Sequence, residues 1–431
     1  MIDLLKRLTS KKILNIIRPV YHLAMSITGC LIYRFPSRKI KIVAVTGTKG
    51  KSTVVEMINS IFETAGLKTA LAGTIRFKIG SIEKRNLFKM TMPGRFFLQK
   101  FLRQAVDEKC DWAVIEMTSE GVKQFRHKFI DLDALVFLNL SPEHIESHGL
   151  YEKYRAAKLK LAESLSRSSK KDKILVVNGD DKESNDFLKY DVPEKIKFNL
   201  KDAAPYRLKD GGFEMIWRKQ SISSPLRGLF NISNMLAAAT FAESVGIGTE
   251  LIKNGLEKIK TIRGRVEEVD CGKKIDFKVF VDYAHTPDSL TAFYETFRPS
   301  KKTTDQFQSS SGKKLICVLG NTGGGRDKWK RPEMARIAEK YCDTIILTNE
   351  DPYDEEPRAI INDMAAGMKN KKLKIIIDRR EAIREALTRA KENDVVLITG
   401  KGTDPYIMGK NGQKTPWDDV LVAQQELLKL N

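Results

Sequence analysis

The chain reads as an α/β protein: a P-loop-containing central domain with a parallel-rich sheet, plus a smaller doubly wound Rossmann-like C-terminal domain. Three observations predict this. Short apolar runs alternate with amphipathic stretches from Lys41 onward, the alternation restarts after residue 263, and the first run ends in a glycine-rich turn. Strands are expected at 41–46, 111–117, 134–140 and 173–178 in the first unit. In the second they are expected at 278–284, 315–320, 344–349, 373–377 and 394–399, with helices between. Such alternation implies parallel sheets covered by helices on both faces. The boundary is placed at Ile262-Arg263-Gly264-Arg265, after the helical stretch Glu250 to Ile259. This divides the chain into a basic amphipathic segment, 1–40, a central domain, 41–262, and a C-terminal domain, 263–431.

The segment Val43-Ala44-Val45-Thr46-Gly47-Thr48-Lys49-Gly50-Lys51-Ser52-Thr53 reads as strand, glycine turn and helix start. Glycines let the backbone approach phosphate oxygens, and the free N–H groups of a helix start point at them. Lys51 would add a positive charge and the Ser52 hydroxyl a magnesium ligand. The spacing, G-x-x-G-K-S, is two residues shorter than the ordinary P-loop. An apolar strand before it, and the helical pattern of Val54, Val55, Met57, Ile58, Ile61 and Phe62 after it, favour phosphate binding over an incidental turn.

At 431 residues the chain suggests two or three domains, and 42% apolar with 30% charged content fits a globular protein. Five scattered cysteines without C-x-x-C argue against a disulfide framework or a zinc ribbon and for a reducing cytoplasm. A net charge of +20 favours an anionic partner. Nucleic acid is not expected, because the lysines are dispersed and no recognition module appears. Near the N-terminus, Lys6, Arg7, Lys11, Lys12 and Arg18 precede an apolar stretch, Leu23 to Tyr33, too short to span a membrane. This segment is expected either to lie on the inner membrane surface or to pack as a helix on the neighbouring domain.

Glu116 ends the apolar run Trp112-Ala113-Val114-Ile115, at the sheet edge where a carboxylate can hold magnesium against nucleotide phosphates. The next strand leads into Ser141-Pro142-Glu143-His144-Ile145-Glu146-Ser147-His148-Gly149, which holds two of the five histidines. With these stand Tyr154-Arg155-Ala156-Ala157-Lys158, Asn178-Gly179-Asp180-Asp181 and Phe230-Asn231-Ile232-Ser233-Asn234. Further on come Gly264-Arg265-Val266-Glu267, Asp282-Tyr283-Ala284-His285-Thr286-Pro287, Gly325-Arg326-Asp327 and Gly400-Lys401-Gly402. In this order, over residues 41 to about 420, the chain resembles the Mur ligases, the ATP-dependent amide-forming enzymes of peptidoglycan synthesis. It most resembles the members that add the third amino acid to a muramoyl dipeptide.

The resemblance implies roles. Gly47, Thr48, Lys49, Gly50, Lys51, Ser52 and Thr53 would cradle the ATP phosphates, and Asn231 and Asn234 would stand at the adenine. Arg265 and Asp282 would contact phosphate and ribose. Two magnesium ions are implied, held by Ser52, Glu116, His144 and Lys158, the lysine carbamylated by carbon dioxide. Lys51, Glu116, His144, Lys158 and Arg265 would carry the chemistry through an acyl phosphate. Substrate contacts are implied at Thr91, Ser119, His148, His285, Arg326, Asp351, Tyr353, Gly400 and Asp404. Closure of the last domain is expected to complete the site.

Two departures shape the expectation. Family members that use UDP-linked substrates carry an N-terminal domain of about a hundred residues. Here forty residues precede the first strand, so that domain is expected to be absent or rebuilt, and the muramoyl peptide to be nucleotide-linked or lipid-linked. Secondly, the loop Asn349-Glu350-Asp351-Pro352-Tyr353-Asp354-Glu355-Glu356-Pro357 has Tyr353 where diaminopimelate-adding ligases place an arginine. The expected amino acid is therefore not diaminopimelate but a cation such as lysine, drawn by the acidic surroundings. Asp354, Glu355 and Glu356 are otherwise read as the first turn of a helix. The rivals are a folylpolyglutamate-type or poly-amino-acid ligase and a non-catalytic nucleotide-binding subunit that needs a partner.

Overall fold

A computed structural model describes residues 11–142, 149–298, 313–369 and 373–430. The chain forms two compact units. The first runs to Ser141 and adds Tyr151–Leu200 and Asn234–Gly255; the second holds Lys201–Ser233 and everything from Leu256.

The first unit is built on an eight-stranded sheet in the order β4-β3-β2-β5-β1-β6-β7-β8. Its strands are β1 (Lys41–Thr46), β2 (Thr69–Ala72), β3 (Arg76–Ile79), β4 (Ile82–Arg85), β5 (Trp112–Glu116), β6 (Ala134–Phe137), β7 (Ile174–Asn178) and β8 (Glu194–Phe198). The strand β1 lies between β5 and β6, parallel to both, and all its residues but Lys41 are buried. Burial on both faces is why it reads as an unbroken apolar run rather than an alternating one. The antiparallel edge β3–β4 was not expected from the sequence. Helices Arg95–Asp107 and Tyr151–Ser166 cover one face, with Leu98, Leu102, Leu161 and Leu165 in the core beneath them.

Lys11–Ile32 is a helix packed on Arg95–Asp107. Ser26 Oγ donates to Phe125 O (3.0 Å), and Arg103 Nη2 donates to Tyr33 O (2.9 Å). No helix among the described residues is long and apolar enough to cross a membrane.

The second unit holds a six-stranded sheet in the order β12-β13-β17-β14-β15-β16. Its strands are β12 (Glu267–Glu268), β13 (Lys278–Asp282), β14 (Leu315–Leu319), β15 (Thr344–Leu347), β16 (Leu373–Ile375) and β17 (Val395–Thr399). All pairs but β12–β13 are parallel. One core lies under helices Pro287–Phe297, Lys330–Tyr341 and Pro357–Ala365, the other under Arg379–Arg389 and Asp419–Leu427. That is a doubly wound domain. A three-stranded antiparallel sheet, β9 (Tyr206–Lys209), β10 (Gly212–Trp217) and β11 (Gln220–Ser224), belongs to this unit and was not expected.

The cysteine reading needs one correction. Cys317 and Cys342 form a disulfide, with Cα atoms 6.1 Å apart. Cys317 sits within β14 and Cys342 just past the helix Lys330–Tyr341. Packing of that helix on the sheet brings the sulfurs together, a proximity that sequence spacing does not show.

His127 is 3% exposed, and neither ring nitrogen has a hydrogen-bond partner among the described residues. Burial, and secondarily Lys128 and Lys160, lower its pKa from 6.5 to about 3. The folded state therefore favours the neutral ring. The stability this confers is complete above pH 6.5 and is lost as pH falls from there towards 3, by up to about 1.4 kcal/mol per pH unit. Thermal melts at pH 7.5 and pH 5.0 should show a drop in Tm that is shallower in His127→Phe.

Candidate active site

The glycine turn follows β1 at the carboxyl edge of the first sheet, where open α/β sheets bind ligands. Gly50 has φ 84°, a left-handed conformation suited to glycine, and a Cβ there would collide with Asn234 Oδ1. The neighbouring strand ends hold the turn. Thr48 N–H donates to Asn139 O (2.9 Å), Lys49 N–H donates to Asn139 Oδ1 (2.8 Å), and Asn139 Nδ2 returns a bond to Lys49 O (3.2 Å). Ser141 N–H donates to Thr48 Oγ1 (3.0 Å). Asp181 Oδ2 accepts from Leu140 N–H (2.9 Å), and Asn178 Nδ2 donates to Leu138 O (2.8 Å). Asn139, Asn178 and Asp181 are thus scaffolding for the turn.

Lys51 begins the helix Lys51–Thr64, and its Nζ donates to Gly47 O (3.0 Å) and Thr48 O (2.9 Å). Lys158, 2% exposed on the helix Tyr151–Ser166, donates from Nζ to the same Gly47 O (2.7 Å). Its ammonium lies 5.0 Å from the Tyr154 ring centroid, and Tyr154 Oη bonds Thr48 Oγ1 (2.9 Å).

Glu116, 2% exposed at the end of β5, approaches from the other side. Its Oε2 accepts from Ser52 Oγ (3.1 Å), Thr74 N–H (2.9 Å) and Thr74 Oγ1 (2.9 Å). Thr74 Oγ1 bonds Thr91 Oγ1 (2.7 Å), so Ser52, Glu116 and Thr91 are linked through Thr74, which sequence reasoning missed. Met92 ties this loop to the helix start at Ser119, its Sδ accepting from Thr118 N–H (3.3 Å). Among the described residues no three His, Cys, Asp or Glu side chains gather into a metal cage. Ser52 and Glu116 do present hard oxygen ligands beside the turn, which suits magnesium shared with phosphate oxygens. His144 and His148 lie outside the described residues. Asn231 and Asn234 stand one turn apart on the helix Leu229–Ser244, and Asn231 Nδ2 donates to Arg227 O (2.7 Å).

In the second unit the expected residues gather at the carboxyl ends of β13, β14, β15 and β17. Asp282 Oδ2 accepts from Val266 N–H and Oδ1 from Ala284 N–H, both at 2.7 Å. Burial pushes its carboxyl up, against the Arg265 charge and those two N–H groups. Arg265 lies over the Tyr283 ring at 4.9 Å, and His285 Nδ1 is 2.7 Å from Tyr283 O. Lys401, fully buried, donates to Asp351 Oδ1 (2.8 Å), Asp404 Oδ2 (3.3 Å) and Tyr406 O (2.7 Å). Glu350, 3% exposed, accepts from Thr322 Oγ1 at Oε1 (2.7 Å). Its Oε2 overhangs the Cα of Gly400 and has no hydrogen-bond partner among the described residues. Sequence reasoning gave Glu350 no role. An acid beside four others in one loop carried no signal of its own.

Residues 45–242 match the Mur ligase middle domain, and residues 264–402 match the Mur ligase, glutamate ligase domain. The UDP-N-acetylmuramoyl-L-alanyl-D-glutamate–2,6-diaminopimelate ligase of Syntrophomonas wolfei is 36% identical over 94% of this chain and 81% of its own length. The chain belongs to the Mur ligase family. It is an ATP-dependent, amide-bond-forming ligase of peptidoglycan biosynthesis. A solved ligase of the same name as that relative aligns with TM-score 0.59 at 29% identity, over 90% of this chain and 78% of its own. Mycobacterium tuberculosis folylpolyglutamate synthase complexed with ADP aligns with TM-score 0.68 over 89% of this chain and 92% of its own, at 16% identity. That likeness is one of fold.

The expectation that the added amino acid is not diaminopimelate is overturned by that relative's name, at 36% identity across almost the whole chain. The physical premise fails as well. Most of the acidic surroundings that were to attract a cation are bonded internally. Lys401 takes Asp351 and Asp404; Arg331 and Lys328 take Glu355; and Asp354 accepts from Asn411 N–H (2.8 Å). Nor do these acids form a helix's first turn, since the helix begins at Pro357. Tyr353 packs its ring on Gly324, and burial, then the charge of Asp351, push its phenol up.

Gly50→Ala should weaken ADP binding at least about tenfold by calorimetry, because the left-handed turn costs about 1–2 kcal/mol with a Cβ before any collision. Lys401→Met strips Asp351 and Asp404 of their shared cation. Urea unfolding should register a loss of about 3–5 kcal/mol.

Proposed function

We propose that the chain adds 2,6-diaminopimelate to the D-glutamate carboxylate of UDP-N-acetylmuramoyl-L-alanyl-D-glutamate. The observation that carries this reading is the relative of that name, 36% identical over 94% of the chain. Residues 41–262 act as the ATP-binding domain and residues 263–431 as the amino-acid-binding domain. The reaction belongs in the cytoplasm, with the chain peripheral at the inner membrane face.

In this reading ATP passes its γ-phosphoryl group to the substrate carboxylate, giving an acyl phosphate and ADP. The amine of diaminopimelate attacks the activated carbonyl, loses a proton, and phosphate departs as the amide forms. Little covalent work falls to the protein; positioning and charge carry the first step. Lys51, Thr53 and the N–H groups of Gly47 to Ser52 hold the phosphates, Asn231 and Asn234 the adenine, and Arg265 and Asp282 a phosphate and the ribose. Magnesium, held by Ser52, Glu116, His144 and Lys158, offsets the charge on the transferring group when bound. Lys158 serves as its carbamate, formed when the neutral amine adds carbon dioxide and releases a proton. Its near-complete burial beside Gly47 O supports this, since a desolvated lysine amine loses its charge readily. Thr91, Ser119 and His148 face the muramoyl peptide. His285, Arg326, Asp351, Tyr353, Gly400 and Asp404 form the amino-acid site, where Arg326 meets a carboxylate and Glu350 Oε2 an ammonium.

Phosphate release from ATP and magnesium should require both the UDP-linked dipeptide and diaminopimelate. Lysine or ornithine should run about a hundredfold slower in kcat/KM. Release independent of any amino acid defeats the reading, and a preference for lysine defeats its specificity. Lys158→Ala should lose activity about a hundredfold and regain part of it with acetate or formate; full activity in that variant eliminates the carbamate.

A further inference from the structure

The helix Lys11–Ile32 buries one side and leaves the other apolar and open. Ser26 and Cys30 face the protein at 3% and 1% exposure, with Gly29 buried between them. Val20, Leu23, Ile27 and Leu31 are 68%, 37%, 40% and 58% exposed. At 3.6 residues per turn these four fall within an arc of about 80°, whose Leu23 edge borders the buried Cys30. Ala24, Thr28, Tyr21 and Ile32 extend the exposed side beyond Leu31, to about half the helix circumference.

No charged residue occurs between Val20 and Tyr33. Cations bracket the stripe in sequence: Lys6, Arg7, Lys11, Lys12 and Arg18 before it, and the exposed Arg34, Arg38 and Lys39 after it. Between Asp3 and Glu56 there is no acid at all. Of these cations Arg38 also pairs with Asp131 (3.3 Å). An apolar face flanked in sequence by cations matches an anionic bilayer surface, where apolar side chains enter the acyl boundary and cations meet phosphate headgroups. A second copy of this chain fits worse. Pairing two such faces would juxtapose strongly basic segments, on molecules that each carry a net charge of +20.

We propose that the Val20–Leu23–Ile27–Leu31 face is a docking surface for anionic lipid, on which the helix lies in the interface plane. This deepens only the peripheral-membrane part of the proposed function and needs neither ATP nor amino acid. Its failure would leave the ligase reading standing.

The full chain should float with vesicles of phosphatidylglycerol and phosphatidylethanolamine and stay behind with pure phosphatidylcholine. Retention should weaken as salt rises from 50 to 500 mM (about 14 to 4 Å of screening length). The triple variant Leu23→Glu/Ile27→Glu/Leu31→Glu should lose retention about tenfold while keeping the parent Tm, because these side chains contribute little to the core. No retention of the full chain on anionic vesicles overturns the proposal, whether the stripe is covered by another segment of the chain or stays bare. Unchanged retention in the triple variant overturns it too. So does a dimer by light scattering that the same substitutions dissolve, since the stripe would then be an interface between copies.

Discussion

Two lysine ammonium groups converge on one backbone carbonyl, that of Gly47, and the rest of the first site is arranged around that fact. Lys51 and Lys158 each reach Gly47 O within 3.0 Å, so their nitrogens are closer than about 6 Å. At an effective dielectric constant of about 20, two such charges repel by about 3 kcal/mol. A turn that keeps both is primed for an anion. Phosphate entering from the side of Lys51 relieves the repulsion, and conversion of Lys158 to a carbamate would remove it by changing the sign of one partner. The helix start beyond Gly50 adds its own N–H groups to the same volume.

The second unit follows the opposite logic. Several of the charges around its expected site are matched within the protein, so composition misleads about what they can attract. Asp351 and Asp404 look like an acidic lure in sequence, yet both spend their charge on the buried Lys401. Glu355 is shared by Arg331, Lys328 and Gly325 N–H, and these hold its carboxyl below the usual range. In the proposed function, ligand recognition in this unit then rests on the exposed Arg326 and on Glu350 Oε2, which has no hydrogen-bond partner among the described residues.

Much of the fold was legible because longer buried parallel strands read as apolar runs, although the four-residue β2, buried and parallel to β5, escaped. Nine strands were expected as apolar runs, and each lies at its expected place; β1 spans 41–46 as read. The antiparallel sheet β9–β11 escaped although its strands alternate buried with exposed positions, because each is only four to six residues long and falls between longer apolar runs. In the site, Glu116 and Ser52 were legible from the strand end and the glycine turn, and they do meet. Thr74 was not, because a threonine after a four-residue strand has no signature until its backbone N–H is seen pointing at a carboxylate. Asp351 and Asp404 were read from the sequence as substrate contacts. Their pairing with Lys401 was not legible, because it depends on two loops from different strands.

Buried charge in this protein sorts by whether its bonding capacity is used up. Arg379 and Asp419, 2% and 0% exposed, bond each other twice, at 2.8 and 2.7 Å. Thr399 O and Trp417 Nε1 take up further capacity of the pair. A pair so enclosed can hold the helix Asp419–Leu427 against the strand ends but has nothing left for a ligand. Glu350, at the end of β15, is as deeply buried and keeps one oxygen unbonded among the described residues. An unbonded carboxylate oxygen costs free energy that a purely structural residue would have no reason to incur. It lies over Gly400, where no side chain intervenes, and in the proposed function that oxygen meets the ammonium of the incoming amino acid.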